Sequence, residues 1–509
     1  MKRLDLTAFV AVLAAPALAE DPLAAIDWLQ DPAPISVAQP LQNSLQEPAV
    51  TGATVPDVAV LPLDGARPGS AGLLPSSTTG LPSSLWTASA TDTITSLFAR
   101  LPPDPLPAIQ ALYYTLLLAE AETPADAGPD ARFLSARLSA LRDLGAVEPA
   151  LALLEQAGTS QKGVFNQWFE LTLLSGTEDA ACRALMDKPD LSPRYDARIF
   201  CGARAGDWQT AALTYETAGA LNVLDPVTET LLAQYLDPET IDDSAPLAPS
   251  GNMTPLLFRL YEAVGTPLPT RNLPREYAVA DLRGVTGWKA EIEAAERLTH
   301  TGALPANRLL GLYTDQRPAA SGGVWDRVSG VQALEKALQT NDAGTIEEVL
   351  PQLWREMKTE GLAVAFATLF AEDLAQAAVE GSVRETIFEV VLLSPDYEAL
   401  ARAFSVPDRR GQFLAGLTKG APDPALASSR PEIAIAEAFA ATAPSADHAD
   451  MLASDRLGQA ILTAALQLDT AGPNQSSDIV AGLSTLRAVG LEDTARRAAL
   501  QILLLKAGA

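Results

Sequence analysis

Along most of this chain the apolar residues return every three or four positions, the period of a helix with one buried face. Trp288 to Thr299 shows it plainly: Ile292, Ala295 and Leu298 fall beside Glu291, Glu293 and Glu296. Ile109 to Ala121, Ile346 to Met357 and Leu362 to Ala378 read as further helices, and Pro351 is expected to kink or split its own. Runs alternating β-branched and polar residues, the mark of a half-buried strand, are missing.

A longer period lies over the short one. Gly145 precedes Ala150 by five residues, Gly176 precedes Ala181, and Gly206 precedes Ala211, with the glycines 31 and 30 residues apart. Each glycine sits between two apolar, helix-prone stretches. Glycine suits the left-handed turn that ends a helix, and a small residue lets the next helix cross closely. One turn beyond each alanine come Leu154, Leu185 and Tyr215, predicted to point into the same groove. Gly490 and Ala495 repeat the spacing near the end, and Gly302 and Gly344 follow helix-like stretches as hairpin turns would. The expected fold is all-α: an irregular solenoid of stacked helical hairpins behind a Pro-rich extended leader.

That leader covers residues 20–95, where ten prolines from Pro22 to Pro82 oppose helix and central strand. Three apolar islands interrupt it: Ala24 to Leu29, Gly72 to Pro75 and Leu81 to Trp86. They either pack back on the protein's own surface, the reading we prefer, or use Trp28 and Trp86 to anchor a partner. Upstream, Lys2 and Arg3, an apolar run from Leu6 to Ala15 and the small-x-small Ala17-Leu18-Ala19 predict a signal peptide over 1–19. No later stretch reaches about 18 uninterrupted apolar residues, so no membrane span is expected in the mature chain. A Pro-, Asp- and Ser-rich stretch over 237–255 divides a helical-repeat region, 96–245, from a second helical region, 246–440; C-terminal hairpins follow over 441–509.

Charge changes the picture of partners. The chain carries −27, and losing Lys2, Arg3 and Asp5 with the signal peptide makes it −28. Such a surface repels nucleic acid and anionic headgroups. Cys182 and Cys201 are the only two cysteines. They lie about six residues before and about eight after a bend, hence at similar heights on neighbouring antiparallel helices. A disulfide between them is expected in an oxidising compartment, the periplasm or outside the cell.

Candidate chemistry is sparse. His300 ends a helix, where a cation would suit the dipole, and His448 sits in a polar loop. Neither has a metal-spaced companion, and no serine elbow, phosphate loop or dinucleotide fingerprint is present, so no catalytic residue, metal or cofactor is assigned. The best candidate binding site gathers Trp288, Glu291, Tyr313, Trp325 and Arg327 around the loop Pro318 to Gly323. Its plainer reading is a hairpin loop with Trp325 packed into the core.

Several strings resemble one known group: A-I-D-W-L-Q at 25–30, G-L-P-S-S-L-W at 80–86, R-I-F-C-G-A-R-A-G-D-W at 198–208, G-W-K-A-E-I-E-A-A-E-R-L at 287–298 and A-S-G-G-V-W-D-R at 320–327. They resemble uncharacterised exported, Ala-rich helical proteins of Gram-negative bacteria, some labelled as related to antifreeze glycopeptides. The Ala-Ala-Thr tandem that label implies is missing, and the likeness carries no activity. Residues 130–220 also resemble tetratricopeptide-type repeats, without their full consensus. The expected function is an exported, non-enzymatic scaffold or adaptor that binds another envelope protein through a helical-repeat groove. The alternative is a glycan-processing enzyme of the all-α toroid type, with paired carboxylates in a groove lined by aromatics. A third reading is a mechanical envelope protein tethered by its leader.

Overall fold

The computed structural model describes residues 68–128, 131–159, 162–241, 249, 251–472 and 475–506. The predicted signal segment, Trp28 and the leader up to residue 67 lie outside these residues. Three helices open the described chain: α1 (Ser76–Thr79), α2 (Thr91–Phe98) and α3 (Pro107–Leu118). The repeat block follows, with α4 (Arg132–Asp143), α5 (Val147–Ala157), α6 (Lys162–Ser175), α7 (Asp179–Asp187), α8 (Tyr195–Arg204) and α9 (Trp208–Ala220). Next come α10 (Pro226–Leu236), α11 (Pro255–Ala263), α12 (Ala278–Asp281), α13 (Trp288–His300), α14 (Ala306–Asp315) and α15 (Val324–Thr340). They are followed by α16 (Ala343–Thr359), α17 (Ala363–Gln376), α18 (Gly381–Leu392), α19 (Tyr397–Ala401) and α20 (Arg409–Thr418). The last group is α21 (Arg430–Ala440), α22 (Ala446–Ala453), α23 (Leu457–Thr470), α24 (Ser476–Ala488) and α25 (Glu492–Gln501). Among the described residues the fold is all-α, with one isolated bridge between Leu74 and Ala119 and no strand.

The repeated glycines sit at the bends. Gly145, Gly176, Gly206 and Gly490 have φ of 83°, 78°, 81° and 88°, a region that side chains with a Cβ enter only with strain. After each, the next amide reaches back five residues: Ala146 to Leu141 O, Thr177 to Thr172 O, Asp207 to Gly202 O and Leu491 to Leu486 O. This bond satisfies a carbonyl that the ending helix leaves free. Ala150, Ala181, Ala211 and Ala495 are then buried in the following helix. In the third hairpin Ala211 faces Gly202, so the backbones of α8 and α9 approach closely. Leu154 and Leu185 are buried as expected, while Tyr215 is half-buried.

One turn expectation needs correction. Gly344 is not a hairpin turn; it lies in the first turn of α16, and the bend falls on Asn341 in the left-handed region, φ 52°. Asparagine tolerates that region, and the next residue, Asp342, caps α16 by accepting from the Thr345 amide. Helix α16 also runs through Pro351 without splitting.

Neighbouring hairpins are tied by an alternating row of charges. Glu276 binds Arg142 of α4 at 2.6 Å, Arg142 binds Glu170 of α6 at 2.8 Å, Glu170 binds Arg194 at 3.0 Å, and Arg194 binds Asp196 of α8 at 2.7 Å. Every carboxylate and guanidinium in the row is mostly shielded from water, so its geometry sets the register of successive helices.

Cys182 and Cys201 form the disulfide, with Cα atoms 4.9 Å apart, joining α7 to α8 across 19 residues of sequence. The loop it closes predicts that Cys182→Ala/Cys201→Ala loses about 3 kcal/mol. Denaturant titration of the oxidised chain and the double variant checks this; a loss under about 1 kcal/mol would refute the assignment of stability to the bond.

The leader expectation fails for its last third. Residues 68–95 are built into the core: Leu81, Leu85 and Trp86 are buried, and Trp86 packs on Phe98 and Phe133. The backbone bonds Leu73 N–H to Leu118 O and Glu120 N–H to Leu74 O stitch the segment to α3's end. Proline excludes long helices but not these short contacts. The islands Gly72 to Pro75 and Leu81 to Trp86 therefore pack on the protein itself.

Helix α3 is where distant parts of the described chain meet. It packs on α4, α23 and α25. Its first-turn amides, which no helix can satisfy internally, find side chains hundreds of residues away: Leu106 N–H donates to Asp469 at 2.7 Å and Ala108 N–H to Gln501 at 2.8 Å. Tyr114 donates to Thr301 O at 2.8 Å, and Thr301 in turn donates to Leu144 O at 2.7 Å. Burial pushes the Asp469 carboxyl up to about 6, although the Leu106 amide and Lys506 pull it down. The folded state thus favours the protonated acid. That stability is complete below the ordinary 3.8 and is lost as pH rises through about 6. Asp469→Asn keeps the acceptor for Leu106. Its melting temperature should match the parent's near about pH 4 and exceed it at about pH 7.5, by an amount worth about 1–3 kcal/mol. Parallel pH dependences for the two proteins would refute this.

Candidate functional site

Helix α13 carries two of the residues that sequence put together, Trp288 and Glu291. Trp288 opens it, with its indole N–H donating to Leu312 O at 2.8 Å. Trp325 of α15 lies against Trp288, ring centroids 5.1 Å apart. Tyr313 of α14 and Arg327 of α15 meet instead on Glu296 of α13, so the predicted residues fall into two contacts, Trp288 with Trp325 and Tyr313 with Arg327. Glu291 does not supply the carboxylate; Glu296 does. Glu296 Oε1 accepts from Tyr313 at 2.7 Å and from Arg327 Nε at 2.8 Å, while Oε2 accepts from Arg327 Nη2 at 2.5 Å. Glu360 adds a second carboxylate to Arg327 at 3.4 Å.

Burial alone would favour the neutral form of Arg327, but hydrogen bonds and attraction from Glu296 and Glu360 hold its guanidinium above the usual arginine range. Burial and the Glu296 charge lift the Tyr313 phenol well above its ordinary value. Glu296, at 6% exposure, has no open face toward a substrate. The arrangement is a sealed brace between three helices. A signal for Glu296 existed: it falls four residues after Ile292, on the buried face of α13. A charge on an apolar stripe marks a buried partner.

The other flank of α13 borders an open cleft of about 480 Å³ lined by Pro267 to Arg271, Asp281, Thr286, Lys289, Glu293 and Arg297. Arg297 donates to Thr270 O and Leu273 O, both at 2.9 Å, and Thr270 donates to the Asp281 carboxylate. Burial raises Asp281, with the Thr270 bond opposing. Lys289 pairs with Glu293 at 3.3 Å. The cleft's polar groups therefore mostly hold its own walls.

His300 sits where sequence placed it, and His448 does not. His300 does end α13, but burial lowers its imidazole below the ordinary value despite Asp104, so the cation that would complement the helix dipole is disfavoured. A side chain at Gly361 would stand only 2.7 Å from the His300 ring, so that turn requires glycine. His448 is not in a loop. It is fully buried in α22, with Nδ1 2.8 Å from the Thr485 hydroxyl. Ser445, by accepting from the Asp447 amide, starts that helix earlier than its polar composition implies. Among the described residues, no three His, Cys, Asp or Glu side chains gather as metal ligands.

Trp86, 1% exposed, cannot anchor a partner; Trp28 lies outside the described residues. The exposed apolar surface is elsewhere. Six large hydrophobic residues stand exposed among the described ones, and four fall within 208–223: Trp208, Leu213, Leu221 and Val223. Helix α9 buries only Ala211 and Ala218. Sequence reasoning missed this because α9 has no apolar stripe to distinguish inside from outside. No helix of the described residues is long and apolar enough to cross a membrane. No family model matches the chain, and neither a curated protein nor a solved structure matches it.

Proposed function

We propose that the chain is an exported, non-enzymatic scaffold. Its hairpins form an irregular solenoid, tetratricopeptide-like over 130–220, which presents a surface to another envelope protein. The observation that carries this is α9: the second helix of the third hairpin turns Trp208 and Leu213 to solvent at 51% and 69% exposure. Clustered exposed apolar side chains mark interaction sites, whereas single ones do not. The disulfide and the signal-like N-terminus support a compartment outside the cytoplasm. Against the glycan-enzyme alternative stands the brace: the carboxylate beside the aromatics is occupied by Arg327 and buried.

A photocrosslinking residue at position 213, with one at exposed Val285 as the control, tests this in the envelope fraction. A discrete adduct from position 213 alone is expected. No adduct, together with glycan cleavage by the purified protein, would overturn the reading.

A further inference from the structure

The stretch that carries the exposed apolar face is one-signed. From Ala205 to Phe258 no lysine or arginine occurs. Across the described part of it stand Asp207, Glu216, Asp225, Glu229, Asp237 and Glu239. The nearest cations at its borders are already engaged: Arg204 holds Glu178 and Asp179, and Arg259 holds Glu178 and Glu262.

Within this field α9 offers relief as well as apolar area. Trp208, Ala212, Tyr215 and Gly219 recur at helical spacing along one flank. Trp208 lies 6.5 Å from the Tyr235 ring of α10, which itself stacks on Phe200 at 5.5 Å. At the other end, a side chain placed on Gly219 would meet nothing closer than the Glu229 carboxylate, 3.6 Å away. Ala212 and Gly219 thus leave this flank open beside Trp208 and Tyr215, with the Glu229 carboxylate next to Gly219. Leu213 and Ala220 form the exposed crown beside it.

We propose that this α9/α10 face docks a Lys/Arg-bearing amphipathic segment of another protein, its aliphatic residues on Trp208, Ala212 and Leu213 and its cations toward Glu216, Glu229 and Asp237. The proposal rests on the scaffold reading and names the chemistry of its partner. Long cationic side chains suit the site twice, since their stems cover apolar surface while their heads reach carboxylates. A second copy of this chain is disfavoured, because each copy carries −27. Anionic lipid and nucleic acid meet the same repulsion.

The test uses the oxidised full chain and two labelled synthetic peptides of about 18 residues. Both share one Leu/Ala face; the polar face is Lys/Arg in one and Glu in the other. Anisotropy is read at about 50 mM and about 500 mM NaCl. The basic peptide should bind at least about tenfold more tightly than the acidic one and weaken at high salt. Trp208→Ala/Leu213→Ser should weaken it by about tenfold or more, and Glu216→Gln/Glu229→Gln should flatten the salt dependence. Both are surface changes, and a thermal melt equal to the parent's shows that the fold is kept. Basic-peptide binding untouched by the α9 variants, or equal binding of the acidic peptide, overturns the proposal. If both peptides fail while position 213 still crosslinks one envelope protein, the partner chemistry is wrong and the scaffold stands. If the crosslink fails too, the scaffold reading falls with it.

Discussion

Arg137→Met is expected to cost about 3–5 kcal/mol and to release the segment around residues 68–75 from the body of the protein. Arg137 is 1% exposed, and its hydrogen-bond acceptors are all backbone carbonyls. Nε donates to Leu117 O at 2.7 Å, Nη1 to Gly69 O at 2.9 Å and Ala71 O at 2.8 Å, and Nη2 to Ala119 O at 3.1 Å. Burial lowers the guanidinium to about 10, so it is still charged at neutral pH. Methionine keeps much of the volume and offers no donor. Each carbonyl left dry costs about 1–3 kcal/mol, less than additively as water enters. Arg137→Lys, with one ammonium for acceptors on two sides, should lie between. Denaturant titration gives the totals. Hydrogen exchange at the Leu73 and Glu120 amides localises the loss, because both bond across the same junction. A change below about 1 kcal/mol, or protection unaltered at those amides, would refute the argument.

Arg137 also shows what sequence does and does not reveal here. It shares the buried face of α4 with Phe133, Leu134, Leu138 and Leu141, so a charge in that stripe announces a buried partner. Nothing local names the partner, because Gly69 and Ala71 are far away in sequence and carry no periodicity. Glu296 repeats the lesson, as its stripe is legible on α13 but Arg327 is not. Hairpin bends were legible because the helix-ending bond at Gly145, Gly176 and Gly206 is local. The bend at Asn341 was missed for the opposite reason: a residue other than glycine took the left-handed position, and Gly344 nearby drew the assignment. Proline density over 20–95 describes backbone preference only. Whether Trp86 is exposed was decided by Gly458 of α23, whose backbone lies against the indole and whose amide donates to Leu85 O at 3.1 Å. The α9 surface was illegible because exposure reflects which neighbours are missing, and composition does not record that.

The second large effect distinguishes a brace from a reacting pair. Arg327→Ala is expected to destabilise the protein by about 3–5 kcal/mol, because it strands the Glu296 carboxylate with the neutral Tyr313 hydroxyl as its donor in a buried site. Glu296→Leu/Arg327→Leu removes both charges and refills their volume. It should cost markedly less than the single variant, since desolvation offsets much of what a buried ion pair gains. Tyr313→Phe removes one neutral donor from a charged acceptor and should cost about 1.5–3 kcal/mol. Trp288 and Trp325 touch each other on α13 and α15, the two helices the pair joins, so their emission reports loosening of that junction separately from global unfolding. Structural use of the pair thus predicts a non-additive stability cycle with Trp emission moving in step. A pair kept for chemistry would behave otherwise: Arg327→Ala would leave stability within about 1 kcal/mol of the parent and abolish a measurable reaction. That outcome would move Glu296 and Arg327 from the framework to an active centre and reverse the preference for a scaffold.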